Sequence, residues 1–262
     1  MQIGICADPA TLATLPTPYH FDFIEGHVQN FLKPEASDTE FSFNAAALRN
    51  CARSMPAANC FFPADLKVTG PVVDYARLDR YVATTFRRAS EVGMSIIVFG
   101  SAGARMVPNG FSAAQAFEQY VDLLRHLAPV AAASDVTVVV EPLNRGECNL
   151  INTILEGAEA VERAAHPNIR LLVDVFHMLR NDESPDDIAK VQHLIHHAHV
   201  AENKDRAAPG VNNEDLRPYY RALKKAGYDA RLTIEAVWTD FAPQVAPAVA
   251  ALKSQLASAS VK

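Results

Sequence analysis

Residues 136–141 read V-T-V-V-V-E, and the pattern recurs three times downstream: I-R-L-L-V-D at 169–174, L-I-H-H-A-H at 194–199 and R-L-T-I-E at 231–235. Each is a short apolar run, rich in Val, Ile and Leu, that closes on an acidic or imidazole side chain. Runs of this kind are the mark of parallel strands covered on both faces. The closing residues are Glu141, Asp174, His199 and Glu235. One such group at a strand end is ordinary. Four in succession are hard to attribute to chance, because in a parallel barrel the carboxyl ends of all strands open on one face. Two Glu, one Asp and one His meeting there form a hard, mostly oxygen ligand set. It suits one divalent metal ion, Mn²⁺ or Mg²⁺ first, with Co²⁺ and Zn²⁺ also accommodated. Strand alternation puts His197 and His199 on the same face, so either can be the ligand; we take His199.

Working upstream, the strand–helix rhythm continues without a break. Strand-like runs cover about residues 2–6, 21–25, 58–62 and 95–100. A helix is expected within 41–54, with Asn44 as its N-cap. Residues 74–92 form an amphipathic helix that Gly93 terminates. Another helix starts near Ser112 and is expected to break around Pro129. Downstream, helices are expected at 153–165, from Asn213 or Glu214 to Ala226, and at 243–258. The helices after the first and sixth strands look short. Eight strands alternating with helices predict an α/β fold, a single (β/α)8 TIM barrel over residues 1–262. A doubly wound open sheet is the alternative, but the first strand is not followed by a Gly-rich phosphate fingerprint.

Bulk properties agree. The 262 residues suffice for one α/β barrel, which typically takes about 250. The formal net charge of −6 disfavours a nucleic-acid partner. The four cysteines, Cys6, Cys51, Cys60 and Cys148, form no C-x-x-C pair and read as reduced thiols filling the core of a cytoplasmic protein. The opening M-Q-I-G-I-C-A reads as a strand rather than a signal peptide, and no apolar stretch is long enough to span a membrane.

The segments E-P-L-N-R-G-E (141–147), L-L-V-D-V-F-H-M (171–178), H-A-H-V-A-E-N (197–203) and L-T-I-E (232–235) resemble the xylose-isomerase-like TIM-barrel superfamily of sugar isomerases and epimerases. The nearest likeness is to ketose 3-epimerases of the tagatose and psicose type. It is specific from the fifth strand onward and architectural before it. The resemblance implies a metal on Glu141, Asp174, His199 and Glu235, with Glu141 and Glu235 also acting as acid and base on opposite faces of a sugar. It implies substrate contacts from Glu147, six residues after the first Glu, and from His177, three after the Asp. It implies a substrate-binding Arg after the seventh strand. Arg206, in E-N-K-D-R-A-A-P-G, is the match, one residue farther from His199 than the usual spacing. A small sugar or sugar-derived substrate and a homo-oligomer are implied as well.

The chemistry has its own logic. Hydrogen on carbon beside a carbonyl becomes removable when adjacent oxygens are held on a dication that stabilises the enediolate. One carboxylate takes the proton and another acid returns one. Return to the opposite face epimerises, most simply at C3 of a ketose. Return at the neighbouring carbon isomerises, as in a hydroxypyruvate-type aldose–ketose isomerase. Loss of water instead gives an inosose-type dehydratase. Each residue also has a plain structural role open to it: Glu141 a loop cap before Pro142, Asp174 a cap of the next turn, Glu147 and Arg206 an exposed ion pair, His177 a core histidine.

Other positions are secondary. Glu25 ends the second strand and could accept a hydrogen bond from a sugar hydroxyl or sit in a loop ion pair. Asn59, Cys60, Ser101 and Gly103 are candidate lining residues. The S-A-G-A-R loop, with Arg105, offers a weak phosphate site. Trp238 can stack on a sugar or pack the rim. An AP-endonuclease-like nuclease would need further histidines, and none lies between His27 and His126. A non-catalytic sugar-binding barrel does not account for four retained ligand types.

Overall fold

Apolar runs become eight parallel strands that close on themselves. In the computed structural model, which describes residues 1–259, the strands are β1 (Gln2–Cys6), β2 (Phe23–His27), β3 (Ala57–Asn59), β4 (Ile96–Phe99), β5 (Thr137–Val140), β6 (Ile169–Asp174), β7 (Ile195–Val200) and β8 (Arg231–Ile234). Each pairs with its sequence neighbour, and β1 also pairs with β8 from Gln2 opposite Arg231 to Ile5 opposite Ile234. That seam makes the sheet a closed (β/α)8 barrel.

Ten α-helices or α-helical turns of the described residues surround it: α1 (Pro9–Leu12), α2 (Asp38–Arg49), α3 (Tyr75–Glu91), α4 (Ala102–Arg105), α5 (Ala113–Ala133), α6 (Ile154–Ala164), α7 (Val175–Arg180), α8 (Asp187–Lys190), α9 (Arg217–Lys225) and α10 (Phe241–Ser258). Asp74, Ser112 and Thr153 cap α3, α5 and α6 through their side-chain oxygens, where short polar residues belong. Gly93, at φ 73°, leaves α3 in the left-handed region that a side chain resists.

Three expectations need correction. Asn44 is not an N-cap. Ser37 caps α2 in a capping box with Glu40, while Asn44 lies mid-helix and donates to the carbonyls of Asn30 and Phe31. The helix from Ser112 is not interrupted, because α5 runs through Pro129, carried by the buried face of Leu124, Leu127, Ala128 and Ala131. The helix expected from Asn213 or Glu214 begins later, at Arg217. The preceding segment is used instead for loop contacts, with Glu214 accepting from the backbone of Asn203 and Lys204.

The barrel interior is divided. One side is a small apolar cluster of Ala57, Ile96, Val98, Val139 and Leu172. The other holds the buried polar groups Glu25, His197, His199 and Thr233. Between strands and helices lies the main core, including Phe61, Phe62, Tyr81, Phe86, Phe99 and Tyr120, whose rings pack 3.9 to 6.3 Å apart. Such pairs add about 0.5–1.5 kcal/mol each beyond area burial.

Two buried arginines tie the loops at the carboxyl-terminal face. Arg88, from α3, donates to the carbonyls of Leu32, Lys33 and Ala36 and to Asp38. Arg105 donates to the carbonyls of Phe99 and Ile151. Arg105 is therefore spent on backbone and shielded from solvent, which removes it as a phosphate ligand.

Glu183 is half-buried and accepts from the backbone N–H of Ile154 at 2.7 Å. Burial outweighs that bond and pushes its carboxyl up to about 7. A folded value above the ordinary 4.5 means that the native state holds the extra proton between those limits. Its contribution to stability is thus greatest below the lower limit and falls as pH rises to the upper one. Thermal unfolding of Glu183→Gln and the parent chain, compared between about pH 5 and about pH 8, should show a smaller decline in Tm for the variant. Equal declines would clear Glu183 of the effect.

Candidate metal centre and active site

The four closing residues of the apolar runs meet. Glu141, Asp174, His199 and Glu235 each offer one ligand atom, and these atoms lie within 4.8 Å of one another. Register explains part of this, since Asp174 on β6 stands opposite His199 on β7. A register shift between Leu171 and Leu172 passes over His196, so that Leu172 faces His197. His196 is left exposed while His197 and His199 are buried.

Each ligand candidate is oriented by its other atom. Asp174 Oδ1 caps α7 by accepting from the backbone of Phe176 and His177, at 2.7 and 3.3 Å. Its Oδ2 is left toward the cluster. The residue thus caps the turn and serves the cluster at once. Glu235 Oε1 accepts from the Asn59 amide at 2.7 Å, and Oε2 faces His199 Nδ1 at 3.4 Å. Glu141 Oε1 lies 3.4 Å from the same nitrogen. Its Oε2 fills the space over Gly100, where a Cβ would stand 2.0 Å away.

His199 is fixed from behind by Glu25. This carboxylate is 1% exposed. It accepts from Nε2 of His197 and of His199, at 2.8 and 2.9 Å, and from the Thr233 hydroxyl at 2.7 Å. Burial alone would raise Glu25. The two imidazoles outweigh it and hold the carboxyl well below the usual range. With a cation in the cluster, hydrogen on His199 Nε2 would leave Nδ1 as the lone-pair nitrogen facing it, the arrangement that metal-bound histidines take from a supporting carboxylate. His197 faces Glu25 rather than the cluster. Glu25 is consequently neither a sugar contact nor a loop ion pair.

Buried polar atoms without a partner locate the centre. Glu141 Oε1, Asp174 Oδ2 and His199 Nδ1 are enclosed and make no hydrogen bond. Buried polar atoms are seldom left so. A cation held by these residues would satisfy all three, and the donor set could hold one. Burial, opposed by the His199 contact, raises the Glu141 carboxyl. Glu235, less enclosed than Glu141, is brought down against its own burial by His199 and then by Arg206.

His177 Nε2, beside these three, is also enclosed and unpartnered. It lies 3.6 Å from Asp174 Oδ2 and 4.0 Å from Glu141 Oε1. Its Nδ1 accepts from the backbone N–H of Asn144 at 3.1 Å and faces the Asn144 amide at 2.9 Å. Nδ1 is therefore the acceptor, and Nε2 carries hydrogen toward the cluster. Glu147 accepts from the Asn144 amide at 2.8 Å. Arg206 spans the opening. It donates to Glu235 Oε2 and lies 3.6 Å from Glu147, 3.9 Å from Asp174 and 4.7 Å above the Phe176 ring.

A laced loop puts Arg206 there. The buried Glu202 carboxylate accepts from the backbone of Gly210, Asn212 and Glu214. Asp205 and Arg206 both take positive φ, at 62° and 49°, and the Arg206 carbonyl accepts from Val237.

A cavity of about 350 Å³ lies over the cluster. Asn59, Cys60, Ser101 and Gly103 line it together with Glu141, Glu147, His177, Arg206 and Glu235. Of the four cysteines only Cys148 is buried; Cys6, Cys51 and Cys60 are partly exposed. Burial pushes the Cys60 thiol up to about 12, so it is neutral and a poor nucleophile. Trp238 is half-buried against Phe241 and does not line this cavity. Sequence reasoning missed Asn59, Gly100, Asn144, Glu202 and Thr233 as supports. A lone polar residue inside an apolar strand, as with Thr233, was the only signal of such a partner.

Comparison with known proteins follows the same lines. Residues 69–257 match the family model described as xylose isomerase-like TIM barrel. A D-psicose 3-epimerase of Ruminiclostridium cellulolyticum is 32% identical over 120 residues, 45% of this chain and 41% of that enzyme. An L-ribulose 3-epimerase of Mesorhizobium japonicum is 35% identical over 115 residues, 43% and 38% of the two chains. The match thus spans less than half the length of these curated relatives. The crystal structure of D-psicose 3-epimerase with D-tagatose from Clostridium cellulolyticum superposes with a TM-score of 0.82, covering 100% of both chains at 22% identity. At that identity the likeness speaks for the fold. With the family match extending over most of its residues, the chain belongs to the xylose isomerase-like TIM barrels.

Proposed function

We propose that this protein is a divalent-metal-dependent sugar epimerase that moves a proton at carbon beside a carbonyl, with C3 of a ketose as the reacting centre. The observation that carries the reading is the set of unpartnered, buried atoms Glu141 Oε1, Asp174 Oδ2 and His199 Nδ1 at one point of the barrel mouth. The relatives named as psicose and ribulose 3-epimerases support the choice of reaction. Mn²⁺ or Mg²⁺ suits the ligand set best. When bound, the cation supplies positive charge that stabilises the enediolate oxygens.

The protein's own groups divide the remaining work. Glu141 rises from β5 and Glu235 from β8, so a substrate between them presents one face to each. One carboxylate takes the C3 proton, and the other returns a proton from the opposite side. The Asn59 amide holds Glu235 in place through its second oxygen. The hydrogen on His177 Nε2 is aimed at a substrate oxygen. Arg206 and Glu147 grip hydroxyls at the opening and, with the Phe176 ring, limit the entry of water.

Metal titration tests the centre. The chain should bind one divalent ion tightly, and Asp174→Ala should abolish binding at micromolar metal. Gly100→Ala should weaken it by at least about tenfold, because the added Cβ displaces Glu141. His177→Ala, Glu147→Ala and Arg206→Ala should keep the ion while raising KM or lowering kcat. Loss of the metal in His177→Ala would make that residue a ligand, and three ions per chain would contradict the site.

Hydrogen exchange tests the reaction. Ketoses incubated in D₂O with added Mn²⁺ or Mg²⁺ should acquire deuterium at C3 and not at C1, read by NMR. Glu141→Gln and Glu235→Gln should each reduce turnover by about 10²-fold or more. Deuterium at C1 or C2 would indicate aldose–ketose isomerisation, and loss of water a dehydratase.

A further inference from the structure

A second cavity, of about 610 Å³, opens beside the first on the β1–β3 side of the barrel mouth. The two share Asn59 and Cys60 as lining. Asn59 marks the boundary: its amide donates to Glu235 on one side and lies 3.5 Å from Cys6 Sγ on the other. The larger cavity is walled by the aromatic rings of Phe31, Trp238 and Phe241 and by the polar side chains of His27 and Asn44.

Its wall is held in place. Arg88, buried, grips the carbonyls of Leu32, Lys33 and Ala36, and Asn44 donates to those of Asn30 and Phe31 at 3.2 and 2.8 Å. Trp238 packs edge-on against Phe241 with centroids 5.2 Å apart. Aromatic faces with a few fixed polar groups are the usual lining of a small-molecule site. A sugar ring matches both, because its C–H face covers an aromatic ring while its hydroxyls reach amides and imidazole. No Lys or Arg lines the space, whereas the carboxylate of Asp8 does. A phosphate would therefore meet negative charge without a cation to receive it.

We propose that this cavity is the subsite for a second sugar ring. The natural substrate is then a glycosylated ketose, not a free or phosphorylated one. Its ketose end lies over Glu141 and Glu235, and its uncharged second ring rests against Trp238. The assignment rests on reading the four-ligand cluster as the reacting end.

Trp238 is the single tryptophan of the chain, so its fluorescence reports this cavity directly. The test titrates the full chain, supplied with Mg²⁺, with fructose, fructose 6-phosphate and 6-O-α-glucosyl-fructose. The glucosyl sugar should shift Trp238 emission saturably, with a Kd at least about tenfold below those of the other two. Ala47→Phe and Ala10→Phe each add a ring to the lining from an exposed helical position. Each should weaken the glucosyl sugar by about fivefold or more and leave fructose within about twofold. Equal affinities, tighter binding of either smaller sugar, no response to any of the three, or indifference of the glucosyl sugar to both variants would overturn the proposal. Absence of hydrogen exchange into either sugar, with the binding contrast intact, would defeat the epimerase reading and leave the subsite standing.

Discussion

One buried carboxylate sets the terms for the whole mouth of this barrel. Glu25 lies inside the strands, shielded from solvent, and it is kept charged by two imidazoles and a hydroxyl from β7 and β8. Leaving such a group unpaired would cost several kcal/mol. The pairing therefore constrains β2, β7 and β8 to one register. It also decides which nitrogen His199 presents. A small error in any of these strands would turn a lone pair into an N–H and erase the ligand. The apolar half of the interior, around Val98, Val139 and Leu172, supplies the rigidity that lets the polar half be so exacting.

The loops above follow a similar logic by different means. Backbone carbonyls are taken up by buried side chains: Arg88 holds those of the loop after β2, and Arg105 joins the carbonyl of Phe99, at the end of β4, to that of Ile151 in the loop after β5. Glu202 and Glu214 do the converse work, gathering backbone N–H groups in the loop after β7. The mouth is thus irregular in outline yet held throughout by charge-assisted bonds, which are stronger than neutral ones. Side chains such as Arg206 and Glu141 are aimed by this lacing and not by the strands alone.

The fold was largely legible in the sequence because its signals are local. Apolar runs, the caps Asp74, Ser112 and Thr153, and the exit at Gly93 are each decided within a few residues. Register was less so. β2 and β3 are displaced from the expected ranges because short runs leave their ends undetermined. Asn44 looked like a cap because its partners, the carbonyls of Asn30 and Phe31, are brought near only by the tertiary fold. Pro129 looked like a break because buried packing on α5 cannot be seen from one residue. The four converging groups could be named because each ends a strand. Their supports could not, since Glu25 meets His199 across 174 positions of chain and Asn59 meets Glu235 across 176. Arg105 misled for the same reason, its partner Ile151 lying 46 positions farther along the chain.

The β1–β8 seam carries a consequence for how the molecule forms. Every other strand finds its partner in the next segment of chain, so seven pairings grow in order of synthesis. Gln2 must wait for Arg231, and Ile5 for Ile234. Until then β1 keeps one edge of unbonded N–H and C=O groups open, and such an edge templates pairing between chains. Closure of that last ladder pays the largest loop entropy in the protein and so lies late on the folding route. Glu25 and Thr233, on strands to either side of β1, can meet only once it is in place. Completion of the polar centre and disappearance of the aggregation-prone edge are therefore one event.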